Sequence, residues 1–237
     1  MTFIRGTIGA ADKPNLKKLK EVSMKTKIIA IIMLCCFFLL AGTGSSLAQE
    51  TTPTEAVRTM LERVMTVQTD PLLQGQAHRN ERRIAIKKII EQNFYFDGMS
   101  RLALGPYWDK LGKTERAEFE RIFKDLFQDS YTKLVLDFLK REKIVYGQKE
   151  DGAQGNAVVK TRILRMNEEI PVDYSLVLVE GQWLVQDVAI DGVSIIENYR
   201  RSFTRVIQRE SFKELLRKMQ IQQKAIEKSS GKEKAGR

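Results

Sequence analysis

The chain has 237 residues, 43% apolar and 30% charged, which is long enough for one or two folded domains and too apolar for a disordered chain. Fifteen Gly and five Pro exclude collagen-like or Pro-rich architectures, and two Cys with one His leave little for Cys/His metal sites or His-based catalysis. The formal charge of +10 is that of a nucleic-acid binder, but residues 49–203 hold 23 basic and 24 acidic side chains, whereas 204–237 hold 10 and 4. A nucleic-acid footprint belongs on a folded face, so no nucleic-acid partner is expected.

Residues 24–48 carry Lys25 and Lys27, then an unbroken apolar run of 14 residues from Ile28 to Ala41. Ser46 and Ala48 follow as the small residues before a cleavage site at Gln49. This is the pattern of a Sec signal peptide cleaved after Ala48. The run is short of the roughly 20 residues that span a bilayer. Cys35 and Cys36 lie inside the apolar run, not after it, which does not fit a lipoprotein cysteine. Residues 1–23 are read as a mis-annotated leader, because Lys20-Glu21-Val22 matches a purine-rich ribosome-binding sequence just before the Met24 codon. The expected destination is an oxidising compartment, where a cysteine-free body avoids stray thiol pairing.

Pro53-Thr54-Glu55 opens a helix carrying Val57, Met60, Leu61, Val64, Met65 and Val67 inward, ended by Asp70-Pro71. After a polar loop, Ile84, Ile86, Ile89, Ile90 and Phe94 mark a second helix, with Arg82, Arg83, Lys87 and Lys88 on its wet side. Residues 96–104 form a short helical piece closed by Gly105. Within it, Asp97 and Arg101 have the spacing of an ion pair. Thr114 is expected to cap the longest helix, whose stripe runs through Phe119, Ile122, Phe123, Leu126, Phe127, Tyr131, Leu134, Phe138 and Leu139. From Lys143 the period changes to two. Strands are expected at 144–146, 157–163, 170–178 and 183–188, joined by short turns, which makes a four-stranded antiparallel meander with one apolar face. Asp191-Gly192-Val193-Ser194 leads into a last helix with Ile195, Ile196, Tyr199, Phe203, Val206 and Ile207. Phe212, Leu215, Leu216 and Met219 suggest one more amphipathic piece, and 221–237 are read as a basic disordered tail. The fold class is α+β, with helices before and after the sheet packed on one face.

No residue pattern here signals catalysis. His78 lies in a polar loop without a nucleophile or orienting partner. Glu168 and Glu169 are adjacent and point apart. Asp187 and Asp191 flank a strand end without calcium-loop spacing and are read as strand-end caps. The apolar stripes allow either a solid core or helices standing off the sheet around a pocket, and periodicity does not separate the two.

Several segments together carry a resemblance: Phe96-Asp97 through Ser100-Arg101-Leu102-Ala103-Leu104-Gly105 with Trp108; Glu115-Arg116 with Phe119, Phe123 and Tyr131; Val159-Lys160-Thr161; Ile170-Pro171-Val172-Asp173-Tyr174; Gly181-Gln182-Trp183-Leu184-Val185-Gln186-Asp187-Val188; Asp191-Gly192-Val193-Ser194; and Asn198-Tyr199-Arg200 with Phe203. In this order, over about 54–220, the chain resembles the MlaC family of periplasmic phospholipid-binding proteins, also called the toluene-tolerance family. The resemblance implies a non-enzymatic phospholipid shuttle between inner and outer membranes, with bound phospholipid as its ligand and no cofactor or metal. Its implied partners are an inner-membrane ABC transporter complex with an MCE-domain protein and an outer-membrane lipoprotein–porin complex, with transient membrane-surface contact. A hopanoid-associated carrier and a ligand-free structural adaptor are the alternatives. The pocket is expected at Phe123, Phe127, Tyr131 and Leu134 on the long helix and Val159, Thr161, Tyr174 and Leu176 on the sheet, within a lipid-binding domain spanning 49–220.

Overall fold

The computed structural model describes residues 51–147, 150–151 and 155–235. The leader and export-signal readings fall outside them. Helix α1 (Pro53–Thr69) starts where sequence places it: Pro53 occupies the first turn, and the Thr52 hydroxyl accepts the Glu55 N–H at 3.2 Å. Helix α2 is Arg79–Asn93 and α3 is Phe96–Leu104. Gly105 ends α3 at φ +52, in a conformation that L side chains avoid, and an added Cβ would lie 3.1 Å from Cδ of Arg200.

Helix α4 (Lys113–Phe138) begins earlier than Thr114 predicts. Gly112 is the cap residue, because the Glu115 carboxylate reaches back to accept the Gly112 N–H at 2.9 Å. On one side of α4, Phe119 stacks on Phe123 at 5.7 Å and Phe127 on Tyr131 at 4.2 Å, as residues four apart on one helix face do. Another side meets α2. Arg83 and Lys87 both reach Asp129, at 2.9 and 3.2 Å, and Arg79 reaches Asp137 at 2.8 Å. The wet side expected of α2 is thus partly an ionic seam with α4. The Arg79 hydrogen bond, helped by Lys133, holds the Asp137 carboxyl below the usual range.

The sheet contains the four expected strands as β1 (Lys143–Tyr146), β3 (Asn156–Arg165), β4 (Glu168–Val179) and β5 (Gln182–Ile190), all antiparallel in the order β1-β3-β4-β5. Two short strands correct the count of four. β2 (Glu150–Asp151) pairs with β3, and β6 (Val193–Ser194) pairs with β5. β6 exists because Asp191 and Gly192, both with positive φ, fold the chain back as a tight hairpin turn before the next helix begins. Register slips by one residue between Ser175 and Leu176, so Val185 and Val188 both face inward although three apart.

Helix α5 (Ile195–Arg209) rests on a cap assembled by Asp187. Its carboxylate accepts from the Ser194 hydroxyl at 2.5 Å and from the N–H groups of Val188 and Ile196 at 2.8 and 3.1 Å. Helix α6 (Phe212–Ala235) runs through residues expected to be disordered, because its inner face continues. Ile226 packs on the core, and Gln220 and Gln223 donate to Glu118 and Asp125 of α4. Asp97 and Arg101 do not pair. Arg101 instead stands 3.8 Å from Asp109, both exposed.

Two substitutions separate these kinds of contact. Phe123→Ala removes a fully buried ring from the stack and should destabilise by about 3–5 kcal/mol. Arg101→Ala removes one exposed ion pair and should stay within about 0.5 kcal/mol of wild type. Urea unfolding measures both.

Candidate functional site

The helices do not cover the sheet evenly. Around Phe119, Phe123 and Phe127 the space is filled: Tyr199 and Phe203 of α5 lie edge-on to Phe123 at 5.3 and 6.2 Å, and Phe96 lies edge-on to Phe127 at 5.8 Å. Ala157, Val159, Leu176 and Val185 lie buried on the inner face of the sheet. Toward the C-terminal end of α4 the layers separate and leave a cavity of about 310 Å³. Met60, Leu61 and Val64 of α1 line it, with Ile89 and Ile90 of α2 and Phe94 just beyond. Tyr131, Leu134, Val135, Phe138 and Leu139 contribute the α4 side. The sheet wall is Ile163, Arg165, Ile170, Val172, Tyr174, Val188 and Ile190.

Of the eight residues expected at the site, Tyr131, Leu134 and Tyr174 line the cavity. Phe123, Phe127, Val159 and Leu176 are buried in the filled part of the core instead. Thr161 is buried as well, its hydroxyl committed to the Val172 carbonyl at 2.8 Å. Periodicity identified the faces correctly but not where along them the layers part. The α1 and α2 wall residues were legible only as core positions. The doubled apolar pairs Leu134-Val135 and Phe138-Leu139, which widen the stripe at the end of α4, are the one sequence signal for that end.

The walls offer almost no reactive chemistry. The polar side chains lining the cavity are Tyr131, Tyr174 and Arg165. Burial pushes both phenols upward, and for Tyr131 the neighbouring Tyr199 and Asp187 add to it. Arg165 donates to the Phe138 carbonyl, stands 3.6 Å from Glu142, and places its guanidinium 5.8 Å from the Phe138 ring. Gln68 donates to the carbonyls of Val135 and Leu139, so two side chains bind the otherwise orphaned end of α4. Asp187 is spent on capping α5, and His78 faces Glu81 at 2.6 Å on the half-exposed first turn of α2. Among the described residues no cluster of His, Cys, Asp and Glu could hold a metal ion, and no helix is long and apolar enough to cross a membrane.

The cavity is apolar and partly open, with the half-exposed Phe138 in its wall. The fold and site define a helix-on-sheet domain with an apolar cavity between its layers. The MlaC family profile matches residues 58–221, and the chain belongs to the MlaC family. Over 121 residues it is 22% identical to the intermembrane phospholipid transport system binding protein MlaC of Haemophilus influenzae. That alignment covers 49% of this chain and 56% of the relative, so the chain spans little more than half of that protein's length. In structure it is similar to the phospholipid-binding protein from Ralstonia solanacearum, solved in complex with a phospholipid. The TM-score is 0.62 at 19% identity, over 73% of this chain and 98% of that one. This likeness shows that the two share a fold.

The buried phenols set an alkaline limit. With folded-state values above the unfolded value of about 10, Tyr131 and Tyr174 leave stability unaffected below that pH. Above it the unfolded state releases protons that the folded state retains, so stability should fall as pH rises. Ultraviolet titration should show Tyr131 and Tyr174 ionising only as the fold opens.

Proposed function

We propose that this protein is a periplasmic phospholipid carrier that shuttles lipid between the inner and outer membranes for an ABC-type Mla transport system, and that it works without catalysis. The observation that carries this reading is the apolar cavity between α1, α2, α4 and the sheet. Membership of the MlaC family and the phospholipid held by the Ralstonia protein of the same fold support it.

A lipid crossing water must hide its chains. Each exposed methylene costs about 0.8 kcal/mol, so a diacyl lipid with roughly thirty of them faces a desorption cost near 24 kcal/mol. A carrier lowers that cost by offering an apolar wall, and it needs no acid, base or metal to do so. An acyl chain in the cavity would lie against this apolar wall, so lipid and protein would each cover apolar surface of the other. Phe138, which lines the cavity, is half exposed, and Met166 next to Arg165 is almost fully exposed. An apolar lip of this kind suits transient contact with a membrane surface or with the inner-membrane ABC complex bearing an MCE domain and the outer-membrane lipoprotein–porin complex that the reading implies. Periplasmic location follows from the same reading and from the export signal expected at 24–48.

Gently isolated protein examined by native mass spectrometry should carry phospholipid. Leu134→Trp, which adds bulk from the half-buried wall into the void, should remove that mass while leaving the melting temperature unchanged or higher. Wild-type protein free of phospholipid after mild extraction would contradict the carrier reading and favour a ligand-free adaptor.

A further inference from the structure

Beside the apolar cavity lies a second, open recess of about 800 Å³ with a mixed lining, and Arg165 stands in the wall of both. Its charged lining is one-sided: Arg82, Lys140, Arg141 and Arg165 against the single carboxylate of Glu142. Three of these five groups are already committed. Arg82 donates to the carbonyls of Leu73 and Gly75, and Arg165 to that of Phe138, bonds to neutral acceptors that leave the positive charges uncompensated. Glu142 accepts the backbone N–H groups of Lys140 and Arg141 and faces Arg165, and these donors hold its carboxyl below the usual range, so it stays an anion. The side chains of Lys140 and Arg141 form no ion pair or hydrogen bond among the described residues and are exposed. The recess thus carries a surplus of three positive charges, two of them on free donors, at the end of α4 where the apolar cavity also lies.

We propose that this recess binds the phosphate of a lipid whose acyl chains occupy the cavity, and that it makes the protein prefer phospholipids with net negative headgroups over zwitterionic ones. The inference rests on the carrier reading and adds selectivity to it. A phosphodiester supplies acceptor oxygens that match ammonium and guanidinium donors, and charge-assisted bonds of this type are the stronger ones. A zwitterionic headgroup would bring a second, positive group into a recess already over-supplied with cations. A glycerol headgroup brings none, so the difference between the two lipids is one like-charge repulsion at short range. Arg165 is well placed to couple the two compartments, because its guanidinium reaches the Phe138 ring on the cavity side and Glu142 on the recess side. Because the free donors are exposed, the preference should weaken with salt, as the screening length shrinks to about 8 Å at physiological ionic strength.

The test is calorimetric titration of delipidated full-length protein with short-chain phosphatidylglycerol and phosphatidylethanolamine, each below its micellar concentration, and with inorganic phosphate as a third arm. Wild type should bind the anionic lipid roughly tenfold more tightly, a ratio that corresponds to about 1.4 kcal/mol. Lys140→Glu combined with Arg141→Glu changes two exposed side chains and should bring the ratio close to one, as should high salt in the wild type. Equal affinities in the wild type, or a preference that survives in the double variant, would overturn the inference while leaving the carrier reading intact. Inorganic phosphate binding as tightly as the anionic lipid would mark a free-anion site and overturn the lipid assignment. Failure of both lipids to bind would sink the carrier reading itself, and this inference with it.

Discussion

Everything in this structure depends on how one helix stripe meets one sheet face. Along the first half of α4 the rings of Phe119, Phe123 and Phe127 fill the gap to the sheet, with Tyr199 and Phe203 wedged beside them. Along the second half the stripe continues through Tyr131, Leu134 and Phe138, but the layers stand apart. The filled half gives the domain a rigid core. The separated half is stable only because that core and the polar links around its rim hold the walls in place. Asp187 caps α5 at the junction with the sheet, Gln68 and Arg165 bind the carbonyl end of α4, and the seam from Arg79 to Asp137 ties α2 to it.

This division explains why the site has so little chemistry. The cavity walls are nearly all apolar, and each buried polar group in them would cost free energy unless paired. The two tyrosines are the exceptions: burial pushes their ionisation further upward, and the Tyr131 hydroxyl is buried without a hydrogen-bond partner. Charge is kept outside, in the recess beyond Arg165, where it remains in contact with water. The same arrangement leaves a half-exposed phenylalanine, Phe138, at the boundary between cavity and recess.

Much of the fold was legible in the sequence, for identifiable reasons. The switch from three- and four-residue steps to alternation at Lys143 marked the helix-to-sheet boundary, and the Glu180-Gly181 turn marked the hairpin between β4 and β5. Less legible were features set by tertiary context. Gly112 displaces Thr114 as the α4 cap because Glu115 folds back on it. β6 is two residues long, too short for any periodicity. The extension of α6 depends on Gln220, Gln223 and Ile226 finding partners on α4 and the core. For the cavity itself, Tyr131, Leu134 and Tyr174 line it as expected of their faces, but the distance between two packed layers at a given point has no local sequence signature, so Phe123 and Val159 looked equivalent to Leu134 and Ile170.

The central claim is that acyl chains occupy the separated half of the α4–sheet interface. Anomalous diffraction from crystals grown with a phospholipid brominated near its chain ends locates those chains directly. Bromine density between Leu134, Leu61, Ile170 and Val172 is the predicted result. Bromine density among Phe119, Phe123 and Leu176, or confined to the protein surface, would contradict it.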